Sequence, residues 1–254
     1  MISKNKQKYL SQLQQKKFRE EYRSFLVEGN KSVTELLTSD YPIEIILGTK
    51  EFYLKNQSEI VKKNIPFEEI SINDLEKTGT FNTNNAAIAV AKMKENKPIY
   101  AGNDEMVLVL DDVKDPGNLG TIIRIADWYG IKKVILSEFS VELENPKVIA
   151  ASMGSFLRVN CFRTNLEEYF KELKGTTILG AFLDGKSIHQ FDFEKTGYLV
   201  MGSESHGISH EISKYITQKI TIPAFGQAES LNVGVATAII LDNYRRVKGK
   251  LRFE

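Results

Sequence analysis

Apolar side chains in the first 97 residues recur at two spacings, which predict short helices alternating with short strands. Val33, Leu36 and Leu37 lie at helical spacing, whereas the run at 43–47 (IEIIL) is typical of a buried strand. Asn73 is expected to cap a helix. The pattern predicts helices over 4–23, 32–37, 51–64 and 73–78, and strands over 25–29 (alternatively a turn before a helix), 43–47, 67–70 and 86–92. Such alternation predicts a small α/β unit.

From residue 106 onward the predicted strands are longer and more apolar. The run at 106–110 (MVLVL) has no polar face and is typical of a parallel strand covered on both sides. A polar stretch with Pro98 and Gly102 precedes it, so we predict domains at 1–97 and 106–254 joined by a linker at 98–105. The second part is predicted to hold strands over 106–110, 133–136, 176–183, 196–201 and 220–222, and helices over 119–129 (with Trp128 among its apolar residues), 146–152 and 231–247.

Composition narrows the class of protein without identifying it. The chain has 254 residues, 42% hydrophobic and 26% charged, which is typical of a globular protein and excludes a disordered or collagen-like chain. Its single cysteine, Cys161, cannot form an internal disulfide or a cysteine-rich zinc site. The apolar stretch at 233–241 is far shorter than the roughly 20 residues of a membrane span. We therefore expect a cytoplasmic protein with no metal and no membrane association.

Basic residues are concentrated at the two ends, although the formal net charge is only +1. Such ends can bind a phosphate backbone, or they can be solvated helix faces, and the charges alone leave both interpretations open. The residues are Lys4, Lys6, Lys8, Lys16, Lys17 and Arg19 at one end and Arg245, Arg246, Lys248, Lys250 and Arg252 at the other.

A glycine-rich loop follows the first strand of the second part. Its glycines permit tight turns, and Asn118 is a candidate cap for the next helix. Arg124 lies about one and a half turns into that helix, where its fork of donors could bind a phosphate or a carboxylate. The loop has neither the GxGxxG spacing of a dinucleotide fold nor a P-loop sequence. Three aspartates around it are interpreted as turn-forming rather than catalytic: Asp111, Asp112 and Asp115.

Two further loops follow strands and carry polar side chains. Gly202 and Gly207 bracket Glu204, either as a turn with surface polar residues or as a backbone cradle beside a negative charge. Ser230 and Asn232, in the third loop, are candidate helix caps.

In combination and in this order, the three loops are far more specific than any one of them. The segments DPGNLGTIIRIAD, VMGSESHGI and IPAFGQAESLNVGVATAI resemble the three motifs of the SpoU (TrmH) family of RNA ribose 2′-O-methyltransferases over about 106–246. The first part resembles, more loosely, the substrate-binding domain of that family through KKFREEYRSFLVEGNKSVTELL and the strand AAIAV. Two positions depart from the family pattern: 83–85 (TNN), where relatives tend to have proline, and Gly234, where they often have serine.

The resemblance implies a fold, a cofactor and an assembly that no periodicity could show. The implied fold is α/β, with a C-terminal parallel sheet that carries a deep trefoil knot and a smaller N-terminal α/β RNA-binding domain. The knot's loops would bind S-adenosylmethionine, and the active site would lie near the interface of a homodimer. The implied reaction transfers a methyl group to a ribose 2′-hydroxyl. Ribosomal RNA is expected rather than transfer RNA, because a separate N-terminal domain is more typical of the ribosomal-RNA members.

The resemblance also assigns roles to single positions. The expected catalytic residues are Asn118 and Arg124 in the first motif, Glu204 in the second, and Ser230 and Asn232 in the third. Cofactor contacts, largely through backbone groups, are expected from Gly202, Ile222 and Leu231. Among the histidines, His206 lies inside the second motif and is a candidate RNA contact or loop cap, whereas His189 and His210 are expected at the surface.

Methyl transfer to a hydroxyl needs aligned reactants and the loss of a proton. In this family the arginine at the position of Arg124 has been proposed as the base, but an arginine side chain is almost always protonated near neutral pH. We therefore expect Arg124 to hold the target phosphate and to make the hydroxyl more acidic electrostatically. Asn118, Ser230 and Asn232 would then orient the ribose.

Three alternatives are weighed against this interpretation. The first alternative is the same methyl transfer with transfer RNA as the substrate. A non-catalytic relative that binds RNA or the ribosome would have lost motif residues or cofactor binding, yet every motif position named above is present. A nucleotide-binding oxidoreductase would need GxGxxG after Leu110, and that sequence is absent.

Overall fold

The computed structural model describes residues 2–81, 83–193 and 197–248. The chain divides into two compact units, residues 1–95 with 142–157 and residues 96–141 with 158–254. Parts of two sequence predictions lie outside the described residues: Thr196 in a predicted strand, and Lys250 and Arg252 in the basic C-terminus.

A mixed four-stranded sheet forms the centre of the first unit. Its strands are β1 (Ser24–Glu28), β2 (Ile43–Gly48), β3 (Phe67–Glu69) and β4 (Ala87–Lys92), in the order β1-β4-β2-β3. Strand β4 is antiparallel to both of its neighbours, and β2 and β3 are parallel. The helices are α1 (Lys4–Leu13), α2 (Lys16–Tyr22), α3 (Asn30–Thr38), α4 (Lys50–Lys62) and α5 (Ile72–Thr78). The small α/β unit expected from the apolar spacing is therefore present.

Two local predictions in this unit are wrong. The helix predicted over 4–23 is broken, because Gln15 has extended backbone angles between α1 and α2. Helix α5 is capped by Ser71 rather than Asn73: the Ser71 hydroxyl accepts a hydrogen bond from Asp74 N at 3.1 Å. A capping side chain must precede the first helical residue to reach the third backbone N–H, and Ser71 occupies that place.

Residues 142–157 belong to the first unit, although the sequence analysis assigned them to the second domain. They form α7 (Pro146–Ser152) and a short 3₁₀ turn at Ser155–Leu157. Phe156 is buried and packs edge-on against Phe25, with 6.2 Å between ring centroids, and against Tyr41 at 5.9 Å. The predicted domain boundary followed the order of the chain, whereas the burial of these rings stabilises the segment in the first unit.

A buried ion pair also holds this segment in the first unit. The Arg19 side chain is 2% exposed, pairs with Glu142 and donates a hydrogen bond to Leu13 O at 3.0 Å. Burial raises the pKa of the neighbouring Glu144 carboxyl, because the charged form loses solvation there.

Six parallel strands form the sheet of the second unit. They are β5 (Val107–Leu110), β6 (Lys133–Ser137), β7 (Asn160–Thr164), β8 (Ile178–Ser187), β9 (Tyr198–Met201) and β10 (Gln218–Thr221), in the order β10-β8-β9-β5-β6-β7. Every pair of neighbours in this sheet is parallel, as the sequence predicted. The helices are α6 (Pro116–Trp128), α8 (Leu166–Glu172), α9 (His210–Ser213) and α10 (Val233–Lys248).

The strand order reverses between β5 and β9, which are adjacent in the sheet. From β5 the chain moves outward through β6 and β7, and the later strands lie on the other side of β5. Ligands of open α/β sheets bind at such a switch point, beyond the carboxyl ends of the strands. The loops that follow β5 and β9 are two of the three loops singled out by their sequence.

Candidate active site

The loop after β5 is shaped by a helix cap that the sequence analysis assigned to the wrong residue. Asp115, not Asn118, caps α6: its carboxylate accepts a hydrogen bond from Asn118 N at 2.7 Å. Pro116 follows as the first helical residue, a position where its missing N–H costs nothing. The side chain of Asn118 is thereby left free to bond to other loops.

Asn118 joins all three loops through its side-chain amide. Its Nδ2 donates a hydrogen bond to Glu204 Oε1 in the loop after β9. Its Oδ1 accepts a hydrogen bond from Asn232 Nδ2, in the loop before α10, at 2.9 Å. Asn232 also caps α10, because its Oδ1 accepts from Gly234 N at 2.9 Å and from Val235 N at 3.3 Å. Residues separated by more than 110 positions in sequence therefore form one polar cluster, which we call the Asn118 cluster (Asn118, Glu204, Asn232).

Close backbone packing fixes the loop that carries Glu204. Ser203 and Gly207 exchange two backbone hydrogen bonds of 3.0 Å, and Gly207 has a φ of +68°, which favours glycine. A Cβ atom on Gly202 would lie 2.0 Å from the carbonyl carbon of Gly207, so this position tolerates no side chain without rearrangement.

The loops after β5 and β9 are also joined by two aspartates. The buried Asp111 carboxylate accepts a hydrogen bond from Ser209 N at 2.8 Å. Asp112 Oδ2 lies 3.5 Å from His206 Nε2, and the other ring nitrogen of His206 lies 3.0 Å from the hydroxyl of Ser203. His206 therefore holds its own loop, and Asp111 and Asp112 contact the loop after β9 in addition to the turn-forming role predicted for them from the sequence.

A cleft of about 760 Å³ opens beside the Asn118 cluster. This volume lies within the range of small-molecule sites, which is about 300–1,000 Å³. Its walls are the middle of β8, the loop at 202–208, the loop after β10 and the first half of α10. No backbone group of residues 223–231 is hydrogen-bonded to another residue within the described ranges, so these N–H and C=O groups are available to a ligand.

The structure brings seven of the eight predicted site residues together around the cleft. Arg124 is the exception: it is exposed on α6, and its side chain has no hydrogen bond or ion pair among the residues that the structure describes. Asn118 is joined to the cleft by its hydrogen bond to Glu204, and Asn232 is joined to it through its hydrogen bond to Asn118. Those that line the cleft directly are Gly202, Glu204, Ile222, Ser230 and Leu231.

Sequence reasoning missed several residues of this site. Asp115 carried a readable signal, because aspartate directly before Pro-Gly at the start of a helix is a typical cap. The walls contributed by Ala181 to Asp184 and by Phe225 had no such signal, since lining a cleft depends on which loops meet in space. Trp128, expected among the apolar residues of α6, is 84% exposed at the end of that helix.

Within the described part of the chain, no group of three metal-binding side chains is found. No helix in that part is long and apolar enough to cross a membrane.

The parallel sheet, its switch point and a cleft lined by both apolar and polar side chains define an α/β enzyme that binds a small organic cofactor or substrate. Comparison with known sequences is more specific. A profile of the SpoU rRNA methylase family matches residues 105–242, and a profile of the MRM3-like substrate binding domain matches residues 4–89. The chain belongs to the SpoU rRNA methylase family.

Relatives match almost the whole chain. The 23S rRNA (guanosine(2553)-2′-O)-methyltransferase RlmP of Bacillus subtilis (strain 168) is 32% identical, over 92% of this chain and 93% of that protein. A TrmH-family structure from Porphyromonas gingivalis is 36% identical with a TM-score of 0.84, and it covers 97% of this chain and 99% of its own. The AdoMet-bound rRNA methyltransferase of Sinorhizobium meliloti is 28% identical with a TM-score of 0.87, and the match covers 97% of this chain and 96% of that chain.

Proposed function

We propose that this protein transfers a methyl group from S-adenosylmethionine to a ribose 2′-hydroxyl of ribosomal RNA. The observation that carries the proposal is the Asn118 cluster, which joins three loops beside a cleft of cofactor size. Membership of the SpoU family and similarity to RlmP over nearly the full length support the same reaction.

The residues of the cleft suit S-adenosylmethionine. The adenosine part needs apolar walls and backbone hydrogen bonds, and the cleft offers Ile222, Leu231 and the unpaired backbone of 223–231. The related structure from Sinorhizobium meliloti holds this cofactor. When bound, the cofactor supplies an activated methyl group on a positively charged sulfur. Glu204 lies on the cleft wall, where its negative charge would suit a positively charged cofactor.

The chain's own side chains have two tasks in this reaction. Asn118, Ser230 and Asn232 orient the ribose, and the hydrogen bonds of Asn118 make its amide rigid before the substrate arrives. Alignment of this kind can contribute about 7–11 kcal/mol in favourable cases. Arg124 is exposed and without a partner among the described side chains, so its guanidinium can bind the target phosphate. Its charge stabilises the developing 2′-oxyanion, whose proton passes to solvent.

The substitution Arg124→Lys tests this role. We expect the lysine side chain to keep the charge but lose the two-pronged phosphate contact, so the KM for RNA rises while the pH profile of kcat is unchanged. An active Arg124→Lys enzyme whose pH–rate profile moves to lower pH would instead identify Arg124 as the general base.

We infer a 23S-type ribosomal RNA as the substrate. The support is the first unit, which matches a substrate-binding profile, together with the printed activity of RlmP. Lys4, Lys8 and Lys17 are exposed on α1 and α2 and would supply phosphate contacts. Transfer RNA is the second candidate substrate.

We propose that the protein is a cytoplasmic homodimer whose methyltransferase unit is knotted, as the family resemblance implies. For the dimer, Trp128 on α6 is 84% exposed and Val235 on α10 is 49% exposed. These two helices contact each other, and Gly234 packs against Thr121. Exposed apolar side chains on adjacent helices are typical of an interface. Mass measurement by light scattering tests the dimer, and a monomer would contradict it.

The reaction is tested with RNA from a strain that lacks the gene. Ribosomal and transfer RNA from this strain and from its parent are incubated separately with purified protein and labelled S-adenosylmethionine. We expect one alkali-resistant ribose in ribosomal RNA of the deletion strain, and no label in parental RNA. Label in transfer RNA alone would assign the other substrate, and absence of both label and cofactor binding would indicate a non-catalytic relative.

A further inference from the structure

Phe225 is the most exposed large apolar side chain of the described residues, and it lies on the wall of the cofactor cleft. The side chain is 92% exposed, and Leu183, on the same cleft, is 81% exposed. Phe225 makes no ring contact with another described aromatic residue. Two large apolar side chains are thus exposed on the same cleft, and exposed apolar surface in a cleft is typical of a ligand-binding site.

We propose that Phe225 is a stacking platform for a base of the RNA substrate, the base of the target nucleotide. This inference rests on the proposed function. Sequence-specific RNA recognition commonly unstacks a base and places it against an aromatic side chain. A phenylalanine suits that role, because the interaction is with the face of the base and needs no charged partner.

The position of the ring relative to the Asn118 cluster supports this assignment. The loop from Pro223 to Asn232 carries Phe225 at one end and a member of the cluster at the other. A cleft of 760 Å³ would be about 11 Å across if it were spherical. A nucleotide with its ribose at the cluster therefore brings its base within reach of the cleft wall.

The charge of the cleft also favours a base over a phosphate at this point. The acidic side chains on its walls are Asp184, Glu204 and Glu229, and they would repel a phosphate. Asp184 is paired with Lys219 at 3.2 Å, so the repulsion of a phosphate comes mainly from Glu204 and Glu229. A neutral base on a neutral ring avoids this repulsion.

Two other occupants of the ring are less consistent with its surroundings. The adenine of the cofactor would be expected against partly buried side chains such as Ile222, whereas Phe225 has almost no contact with the protein. A second copy of the chain is better matched by the exposed apolar residues of α6 and α10, Trp128 and Val235.

The test compares Phe225→Ala, Phe225→Leu and Phe225→Trp with a matched control, Phe139→Ala. Phe139 is also an exposed phenylalanine, at 76%, and it does not line the cleft. Single-turnover methylation is measured against RNA concentration, together with the Kd for S-adenosylmethionine and the mass in solution. Base–aromatic stacking is worth about 1–3 kcal/mol by alanine substitution, so Phe225→Ala should lower kcat/KM for RNA roughly 5- to 150-fold.

Specific patterns support the inference. Phe225→Trp should retain activity and Phe225→Leu should lose it, because only an aromatic ring stacks; Phe139→Ala should match wild type. Once the modified nucleotide is mapped, an RNA that lacks its base should be methylated equally by wild type and Phe225→Ala.

Other patterns overturn it. Unchanged kcat/KM in Phe225→Ala, or a loss that persists on the RNA without the base, excludes stacking on the target base. A weaker Kd for S-adenosylmethionine in parallel with the activity loss assigns the ring to the cofactor, and a change of mass assigns it to a second copy. If the wild-type protein methylates no RNA, the proposed function is wrong. If the wild type and Phe225→Ala are equally active, the proposed function holds and only the stacking role of Phe225 is wrong.

Discussion

Replacing Gly202 with alanine should disable the enzyme without unfolding it. The new Cβ would lie 2.0, 2.2 and 2.3 Å from backbone atoms of residues 207 and 208, where ordinary contact begins near 3.4 Å. The backbone opposite must therefore retreat by about 1.4 Å. That backbone closes the loop that holds Glu204 against Asn118. Misplacement of a catalytic group by about 1 Å can cost about 100-fold in rate.

We expect Gly202→Ala to lose about 100-fold in kcat/KM and to bind S-adenosylmethionine more weakly. The strain should lower the free energy of unfolding by about 1–3 kcal/mol, as for other overpacked positions. Gly102→Ala is the matched control, because its Cβ would meet only the side chain of Glu105, at 3.2 Å from Oε2 and 4.0 Å from Cβ. The assays are single-turnover methylation, calorimetric cofactor binding and urea unfolding. Wild-type kinetics in Gly202→Ala would refute the reasoning from close packing.

Substitutions at three further positions probe other contacts. Asn118→Ala should lower single-turnover methylation about 10- to 100-fold with little change in cofactor Kd, and Asn118→Asp should be at least as damaging because it opposes Glu204 with a like charge. Asp115→Ala should cost about 0.5–2 kcal/mol in urea unfolding, with Asp115→Asn close to wild type, because only the former loses the helix cap. Glu144→Gln should raise the free energy of unfolding at pH 7, and this gain should vanish on acidification. Burial raises the pKa of Glu144, so the folded state binds the proton more tightly than the unfolded state does. The free energy of unfolding of the wild type therefore falls as the pH rises through the pKa of the folded state. Equal pH dependence of wild type and Glu144→Gln would contradict this.

The spacing of apolar residues was sufficient to predict most elements of the fold. The runs at 43–47 and 106–110 became β2 and β5. Strand β5 is buried along its whole length, as expected for a continuous apolar run in a parallel sheet that is covered on both faces. Strand β7 and helix α8 were missed. Asn160–Thr164 is only partly buried and carries polar residues, so its sequence lacks the apolar pattern of the other strands.

Long-range contacts were beyond the reach of periodicity. The order of the strands follows from pairing, and the place of 142–157 in the first unit follows from contacts such as Phe156 with Phe25, more than 100 residues apart. The candidate site was predictable only through the resemblance of its three motifs, since Asn118, Glu204 and Asn232 individually resemble caps and turns. Their joining is a property of the folded chain.

Local departures from the family pattern are explained by neighbouring side chains. At 83–85, where relatives tend to have proline, Asn84 forms the turn into β4: its Nδ2 donates to Ala87 O at 3.0 Å and its Oδ1 accepts from Ala86 N at 3.2 Å. Gly234 lies in the first turn of α10, where the Asn232 cap supports the helix and lack of a side chain costs less than in the interior.

The position of the transferred methyl group tests the central claim most directly. Ribosomal RNA modified by the purified protein is digested to nucleosides, and the products are fragmented in a mass spectrometer, which separates sugar from base. The site built around Asn118 predicts that the added methyl remains with the ribose and that Asn118→Ala suppresses this product. A methyl group found on the base would contradict the account, because the orientation assigned to Asn118, Ser230 and Asn232 presents the 2′-hydroxyl.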